Sequence, residues 1–313
     1  MDNKLTLRVF VPTTFEGVTS VAILEEIIHP NVHLDVRYTR HLDFREHWEF
    51  HGADIVLILG LAYRGYTLPE EFYTEVDVPF MDFHHGSTYG KPIEGRHIQS
   101  IVTEDADPIY ELCHHMRSFP DQSLLSKNVT ITDKAWQMIN AVNSYRTWTW
   151  EGNDIVRLLL ALYHASYTLM PGAIRGNSLE ETVKKNAIVI KGQMEKLKAY
   201  IARKKEVTQT YTVDINGTHC LLKVVFADEY INELANELLN DEKTSMPVIV
   251  CVGRATKSND MFSIRTKRIH AGQVANLINE GNGKEEVGTV FVDVGYAELM
   301  GKSIIAALTR NVQ

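Results

Sequence analysis

The stretch VPTTFEGVTSVAIL, residues 11–24, reads as the end of a buried strand, a tight turn at Gly17 and the start of a helix. The segments around it repeat that rhythm. TLRVFV before it is apolar and strand-like, and TSVAILEEII within and after it has helical spacing. HLDVRY alternates as a strand does, and ADIVLILGLA and VPFMDFHHG are short apolar runs of the kind that buried parallel strands carry. Strands alternating with helices predict an α/β fold, a doubly wound parallel sheet with ligands at the carboxyl ends of its strands. The loops after TLRVFV, DIVLILG and PFMDFHH then gather on one edge. In many α/β enzymes such a loop holds acidic metal ligands; here it offers Thr13, Thr14 and one carboxylate, Glu16.

Further along, YELCHHMRSF, DKAWQMINAVNSY and NDIVRLLLALYHASYTLM are helical, and MPGAIRGNS, residues 170–178, breaks the pattern with proline and glycine. SLEETVKKNAIVIKGQMEKLKAYIARKKE opens on a capping box, Ser178 with Glu181, and predicts one long connecting helix. After Lys205 strands return. VTQTYTVDING and THCLLKVVFA form a hairpin through an Asn-Gly turn, EYINELANELLN is an amphipathic helix, and MPVIVCVGRA and MFSIRTKR are further strands. HAGQVANLINEGNG is read as a helix closed by glycine. The expected organisation is an α/β domain at 1–177, a linker helix at 178–205 and a smaller α+β domain at 206–313.

The 313 residues carry a net charge of -8, which argues against broad non-specific binding to nucleic acid, since such binding rests on phosphate neutralisation. A small anion in a locally basic pocket remains compatible. No apolar run reaches the roughly 18 residues of a membrane span. The start, MDNKLTLRVF, lacks the basic, apolar and cleavage-site pattern of a signal peptide, so a cytoplasmic location is expected. The three cysteines, Cys113, Cys220 and Cys251, are scattered without metal spacing and are read as buried thiols.

Taken in order, VPTTFEGVTSVAIL, DIVLILG, MDFHHGS and NSYRTW, then a linker helix and SIRTKR, resemble the DHH phosphoesterase superfamily. The resemblance is closest to the branch of small-RNA and oligonucleotide exonucleases with a DHH-associated C-terminal domain, and it covers nearly the whole chain. EGVTSVAIL is similar to that family's DGVTSAALL, FHHGS stands in the place of its DHH triplet, and VVFADEYINELANELL resembles the opening of its second domain. The resemblance implies a site for two divalent cations, usually manganese, that activate water and stabilise charge on a phosphoryl group. Carried over, the first-motif aspartates fall on Thr14 and Glu16, the second-strand aspartate on Gly60, the triplet aspartate on Phe83 and the fourth-motif aspartate on about Asn143. Glu16, His84 and His85 alone keep ligand chemistry, too little for two close dications. Asp82 adjoins Phe83, but alternation along a strand turns it to the other face unless a bulge intervenes.

In the second domain the family's glycine-rich GGGH loop is replaced by NEGNGKEEVG, residues 279–288, which lacks the histidine and adds Glu285 and Glu286. Arg265 matches the arginine of the family's SxRS segment, and Lys267, Arg268 and Lys284 make its surroundings basic, suited to phosphate oxygens. The alternative is a solvated strand edge blunted by charge. His114 and His115 are read as surface residues, and YRTWTW, residues 145–150, either stacks a base or packs a core. RVFVPTT can present N–H groups and hydroxyls to an anion at a helix start without any metal.

The leading expectation is a pseudoenzyme of DHH type that binds a nucleotide, oligonucleotide or protein partner in the inter-domain cleft without cleaving it, in a sequestering or inhibitory role. Its contacts would be Thr13, Thr14, Ser20, His84, His85, Arg265 and Lys284, with no cofactor. One alternative is a residual metal-dependent phosphodiesterase acting on short oligonucleotides or cyclic dinucleotides, with manganese at Glu16, Asp82 and His84, helped by His85. The other is a structural or assembly subunit whose cleft is filled by Phe15 and Phe83. An oligomer is compatible with each.

Overall fold

The structure, a computed structural model, describes residues 4–39, 50–61, 78–85, 98–103, 106–147, 149–150, 153–241, 244–256, 259–293, 304, 305 and 308, with the backbone alone for His85. The chain divides into two compact units, Met1–Gln193 and Met194–Gln313.

The first unit is built on a five-stranded parallel sheet in the order β2-β1-β3-β4-β5. Its strands are β1 (Leu5–Val11), β2 (Val32–Tyr38), β3 (Ile55–Leu59), β4 (Phe80–His85) and β5 (Ile98–Thr103). β3 is buried at every position, as a central strand covered on both faces must be. One face carries Phe10, Val56, Ile58 and Phe80, which pack around Phe50. Helix α1 (Phe15–Ile27) follows β1 and buries nearly all of its length, which is why its apolar residues form no narrow stripe. Further helices are α2 (Pro108–Ser118), α3 (Asp133–Arg146), α4 (Asp154–Ala165), α5 (Met170–Ile174) and α6 (Leu179–Lys185).

The second unit holds a six-stranded mixed sheet in the order β10-β11-β9-β8-β7-β6. Its elements are β6 (Gln209–Ile215), β7 (Thr218–Phe226), α8 (Ile231–Asn240), β8 (Val248–Ala255), β9 (Asp260–Lys267), α9 (Ala271–Asn279), β10 (Asn282–Gly283) and β11 (Val287–Val292), after α7 (Ala187–Glu206). β7 and β8 run parallel and are joined through α8, while the other pairs are antiparallel. Leu222, Val224, Ile249, Cys251 and Phe262 pack on Val274 and Ala275 of α9. The opposite face packs Val225, Val248 and Val250 on Leu234 and Leu238 of α8 and Tyr200 of α7. The β6–β7 hairpin turns at Asn216 (φ 53°) and Gly217 (φ 78°), the left-handed pair that a two-residue hairpin requires.

The α/β class, the parallel first sheet and the second α+β sheet agree with the expectation from sequence, and three local features differ. β5, IQSIVT, is a half-buried edge strand whose glutamine and serine hide the apolar signal. The capping box at Ser178 and Glu181 is present, but the helix it starts ends at Lys185. Asn186 leaves helical geometry, its side chain donates back to the Thr182 carbonyl at 2.8 Å, and its own carbonyl then caps the start of α7. α9 is closed by Glu280 in the left-handed region (φ 49°), not by glycine. Gly281 is needed for space, since a Cβ there would stand 2.7 Å from the Thr289 carbonyl oxygen. Among the described residues no helix is long and apolar enough to cross a membrane.

Candidate ligand-binding site

β1 ends at Val11, and the chain turns through Pro12 and Thr13 into α1, with Thr14 as N-cap. The Thr14 hydroxyl oxygen accepts a hydrogen bond from the Gly17 N–H at 3.3 Å, satisfying one of the orphan donors of the first helical turn. Gly17 therefore lies inside the first turn of α1, not at the centre of the preceding bend. It is glycine because a Cβ would stand 2.2 Å from the Pro12 carbonyl oxygen. The Ser20 hydroxyl donates to the Glu16 carbonyl at 2.7 Å, and the Tyr163 hydroxyl donates to the Thr13 carbonyl at the same distance.

At the carboxyl ends of β1 and β3 lies a pocket of about 180 Å³. Pro12, Thr14, Glu16, Gly17 and Ser20 form one side, Leu59 and Gly60 the floor. Asp107, Pro108 and Arg146 complete it from α2 and α3. The first turns of two helices thus meet at one cavity, each with the positive end of its dipole; at α2 Pro108 has no N–H, and those of Asp107 and Ile109 are already bonded.

Charge in the pocket is held by three side chains. Arg146 Nη1 is 3.8 Å from Glu16 Oε1, a loose ion pair beyond hydrogen-bond length. Asp107 is the N-cap of α2: its Oδ1 accepts from the Ile109 N–H at 3.0 Å and its own N–H donates to Asn143 Oδ1 at 2.8 Å. Asp107 Oδ2 is buried and finds no hydrogen-bond partner among the described residues. Burial, reinforced by the Glu16 charge and opposed by the Ile109 N–H and Arg146, pushes the Asp107 carboxyl up to about 7.

The residues expected at the site are dispersed. Thr14, Ser20 and Glu16 line the pocket, and Thr13 contributes its carbonyl to Tyr163 just beside it. Asp82 and His84 do not line it. They share the face of β4 that also carries Phe80, two residues apart, and are fully buried, with His84 Nδ1 2.7 Å from Asp82 Oδ2. The Ser100 hydroxyl donates to the same Asp82 oxygen at 2.6 Å. Alternation therefore pairs Asp82 with His84 and puts Phe83 on the opposite face with Met81, near His115 of α2. The His85 side chain lies outside the described residues.

Arg265 and Lys284 belong to the second unit. β9 is an inner strand, between β11 and β8, so the reading of Arg265 as part of a strand edge does not hold. Its guanidinium donates to Asn232 Oδ1 at 2.8 Å and to the Ile264 carbonyl at 3.0 Å. Lys284 sits in the turn between β10 and β11, and its carbonyl accepts the Gly272 N–H at 3.0 Å while that of Glu285 accepts the Ala271 N–H at 2.7 Å. The start of α9 is thereby capped by its own chain. His114 is exposed, and Trp150 is buried beside Tyr145, so these two aromatic residues of YRTWTW pack while Arg146 between them lines the pocket.

Asp107 and Arg146 were missed by sequence reading, although an Asp-Pro pair at a helix start is an N-cap signal with proline at the first helical position. Arg146 carries no local signature, being the last residue of an otherwise ordinary helix.

The donors present do not fit a pair of divalent cations. In the pocket Glu16 faces a guanidinium, and the Asp107 carboxyl is pushed up to about 7 by burial with one oxygen committed to the Ile109 N–H. Asp82 and His84 are engaged with each other away from it. Among the described residues no group of three or more His, Cys, Asp or Glu could hold a metal ion.

No protein-family model and no curated protein matches the sequence. Solved structures do match its fold. The pGpG-specific phosphodiesterase PggH from Vibrio is 13% identical with a TM-score of 0.52, over 98% of this chain and 100% of that one. RecJ from Thermus thermophilus, solved in complex with Mn2+, is 13% identical with a TM-score of 0.51, over 98% of this chain and 52% of that one. At this identity the likeness is one of fold: the chain shares the fold of these two structures.

Proposed function

We propose that this is a catalytically degenerate DHH-type protein that binds a nucleotide or short oligonucleotide through the pocket of its first unit and does not cleave it. The observation that carries this reading is the Arg146–Glu16 pair. A guanidinium lines the cavity at the strand ends to which the resemblance assigns dications, so the cationic role remains while the water-activating metals lose their ligands. Neutral Thr14 and Gly60 at positions where the resemblance carries aspartates support the same conclusion. The fold neighbour PggH is named for pGpG, and that dinucleotide is the natural first probe.

The test is equilibrium binding and product analysis on one sample, with pGpG and a 5′-phosphorylated trinucleotide, with and without manganese. Saturable binding with intact ligand recovered after prolonged incubation is expected. Manganese-dependent turnover at stoichiometric enzyme would eliminate the reading and favour the residual phosphodiesterase.

A further inference from the structure

We infer that the pocket holds the terminal phosphate of a phosphomonoester, such as a mononucleotide or the phosphorylated end of a short oligonucleotide, through Arg146 and the first turns of α1 and α2, with no metal ion between protein and phosphate. This rests on the binding reading above and assigns it a ligand class and residues.

Three independent features converge. First, Thr14 and Gly17 from the start of a 13-residue helix and Asp107 and Pro108 from the start of an 11-residue helix border one cavity. Both helix starts favour an anion through the dipole, and that of α1 also through its first N–H groups, since those of Asp107 and Ile109 in α2 are already bonded. Second, Asp107 Oδ2 is a buried oxygen in that wall with no partner among the described residues, although its companion Oδ1 and its backbone N–H are both bonded. Buried polar atoms are almost always paired, and a phosphate oxygen would complete this one by accepting the proton of the neutral carboxylic acid. Third, the Arg146 side chain is 31% exposed and its ion pair with Glu16 is loose, so its fork can turn to a phosphate, whose oxygens it matches better than a single carboxylate at 3.8 Å.

Size selects the part of the ligand. The cavity, about 180 Å³, is below the roughly 300 Å³ at which pockets enclose drug-sized molecules, so it takes a phosphoryl group and leaves the nucleoside outside. Glu16 is the built-in competitor. It holds Arg146 when no ligand is present and must yield it to the phosphate, so its charge weakens binding.

Titration calorimetry with adenosine 5′-monophosphate in EDTA tests this, with adenosine as the control. Binding of the monophosphate without metal and none of adenosine is expected. Arg146→Met should weaken it about 10- to 100-fold, as losing a charged hydrogen-bonding group does. Glu16→Gln should strengthen it, and Arg146→Lys, which keeps the charge but not the fork, should fall between wild type and Arg146→Met. Far-UV circular dichroism checks that each variant folds; if Arg146→Met does not, the opposed shifts of Arg146→Lys and Glu16→Gln decide. Equal affinity for adenosine, dependence on manganese, no measurable monophosphate binding, or indifference to Arg146 and Glu16 would each overturn the inference. If pGpG still binds in the last case, the general binding reading survives. If pGpG is hydrolysed while the charge variants behave as stated, that reading falls and the phosphate site stands.

Discussion

Asn143 Oδ1 accepts the backbone N–H of Asp107 at 2.8 Å, joining the last turns of α3 to the N-cap of α2. The resemblance carries a metal-binding aspartate to about this position, and here a neutral acceptor buttresses the pocket wall instead. Asn143→Ala leaves a part-buried N–H unpaired and should cost about 1–3 kcal/mol. Urea denaturation reads this directly, and a change under a few tenths of a kcal/mol would show that the bond does not hold the wall.

Asp107 makes stability depend on pH. Its folded-state carboxyl titrates at about 7 against an ordinary value of 3.8, so the folded protein holds the proton more tightly. The sign is that of a raised carboxylate: no penalty below pH 4, a penalty growing as pH rises from about 4 to 7, and a constant penalty above. The difference corresponds to an upper bound of about 4 kcal/mol. Asp107→Asn keeps an oxygen for the Ile109 N–H and removes the charge. Its melting temperature should match wild type near pH 4 and exceed it above pH 7, so equal offsets at both would contradict a buried acid.

Two glycines separate space from conformation. Gly17→Ala puts a Cβ 2.2 Å from the rigid Pro12 carbonyl and should cost more than about 1–3 kcal/mol, opening the turn that forms the pocket. Gly172 in α5 meets nothing within 4 Å and has no positive φ, so Gly172→Ala should be neutral or stabilise by about 0.4–1 kcal/mol. Thermal melts of both variants suffice, and equal effects would remove the steric account of Gly17.

All three cysteines are buried. Burial, aided by the Asp107 charge, pushes the Cys113 thiol up to about 12, and burial alone does so for Cys251. Thiolate is the reactive form, so neither should react with a disulfide reagent at pH 8 in the native protein, while all three should in denaturant. A fast native titre of two or more thiols would mean that one of these buried sites is open to solvent.

The parts of this molecule most legible in its sequence were those set by local patterns. β3 is five consecutive apolar residues, the β6–β7 turn is Asn-Gly, and the start of α6 is a capping box, each specified by neighbours in the chain. The pocket was legible only on the α1 side, where Thr14, Glu16 and Ser20 lie in one short stretch. Arg146 and Asp107 come near Glu16 only through packing of α2 on the sheet and of α3 on α1 and α2, and no spacing in the sequence encodes that approach. Alternation along β4 was legible too, since it turns Asp82 away from the face of Phe83 and onto that of His84, where the two side chains meet.

Phe83 is where family resemblance and packing make opposite demands. The resemblance carries the triplet aspartate to this position, which invites an attempt to restore a metal site by Phe83→Asp. In the fold Phe83 is fully buried, its carbonyl accepts the Gly60 N–H at 2.8 Å, and its ring lies 6.1 Å from that of His115 on α2. Replacing the ring by a carboxylate removes the packing of a buried phenylalanine, worth about 3–5 kcal/mol, and adds an unpaired buried polar group. Phe83→Asp should therefore fail to fold, with or without manganese, whereas Phe83→Leu should fold at a modest cost. A soluble Phe83→Asp protein that binds manganese tightly would mean that the position faces a ligand site after all, and that the aspartate was lost from chemistry and not from a core.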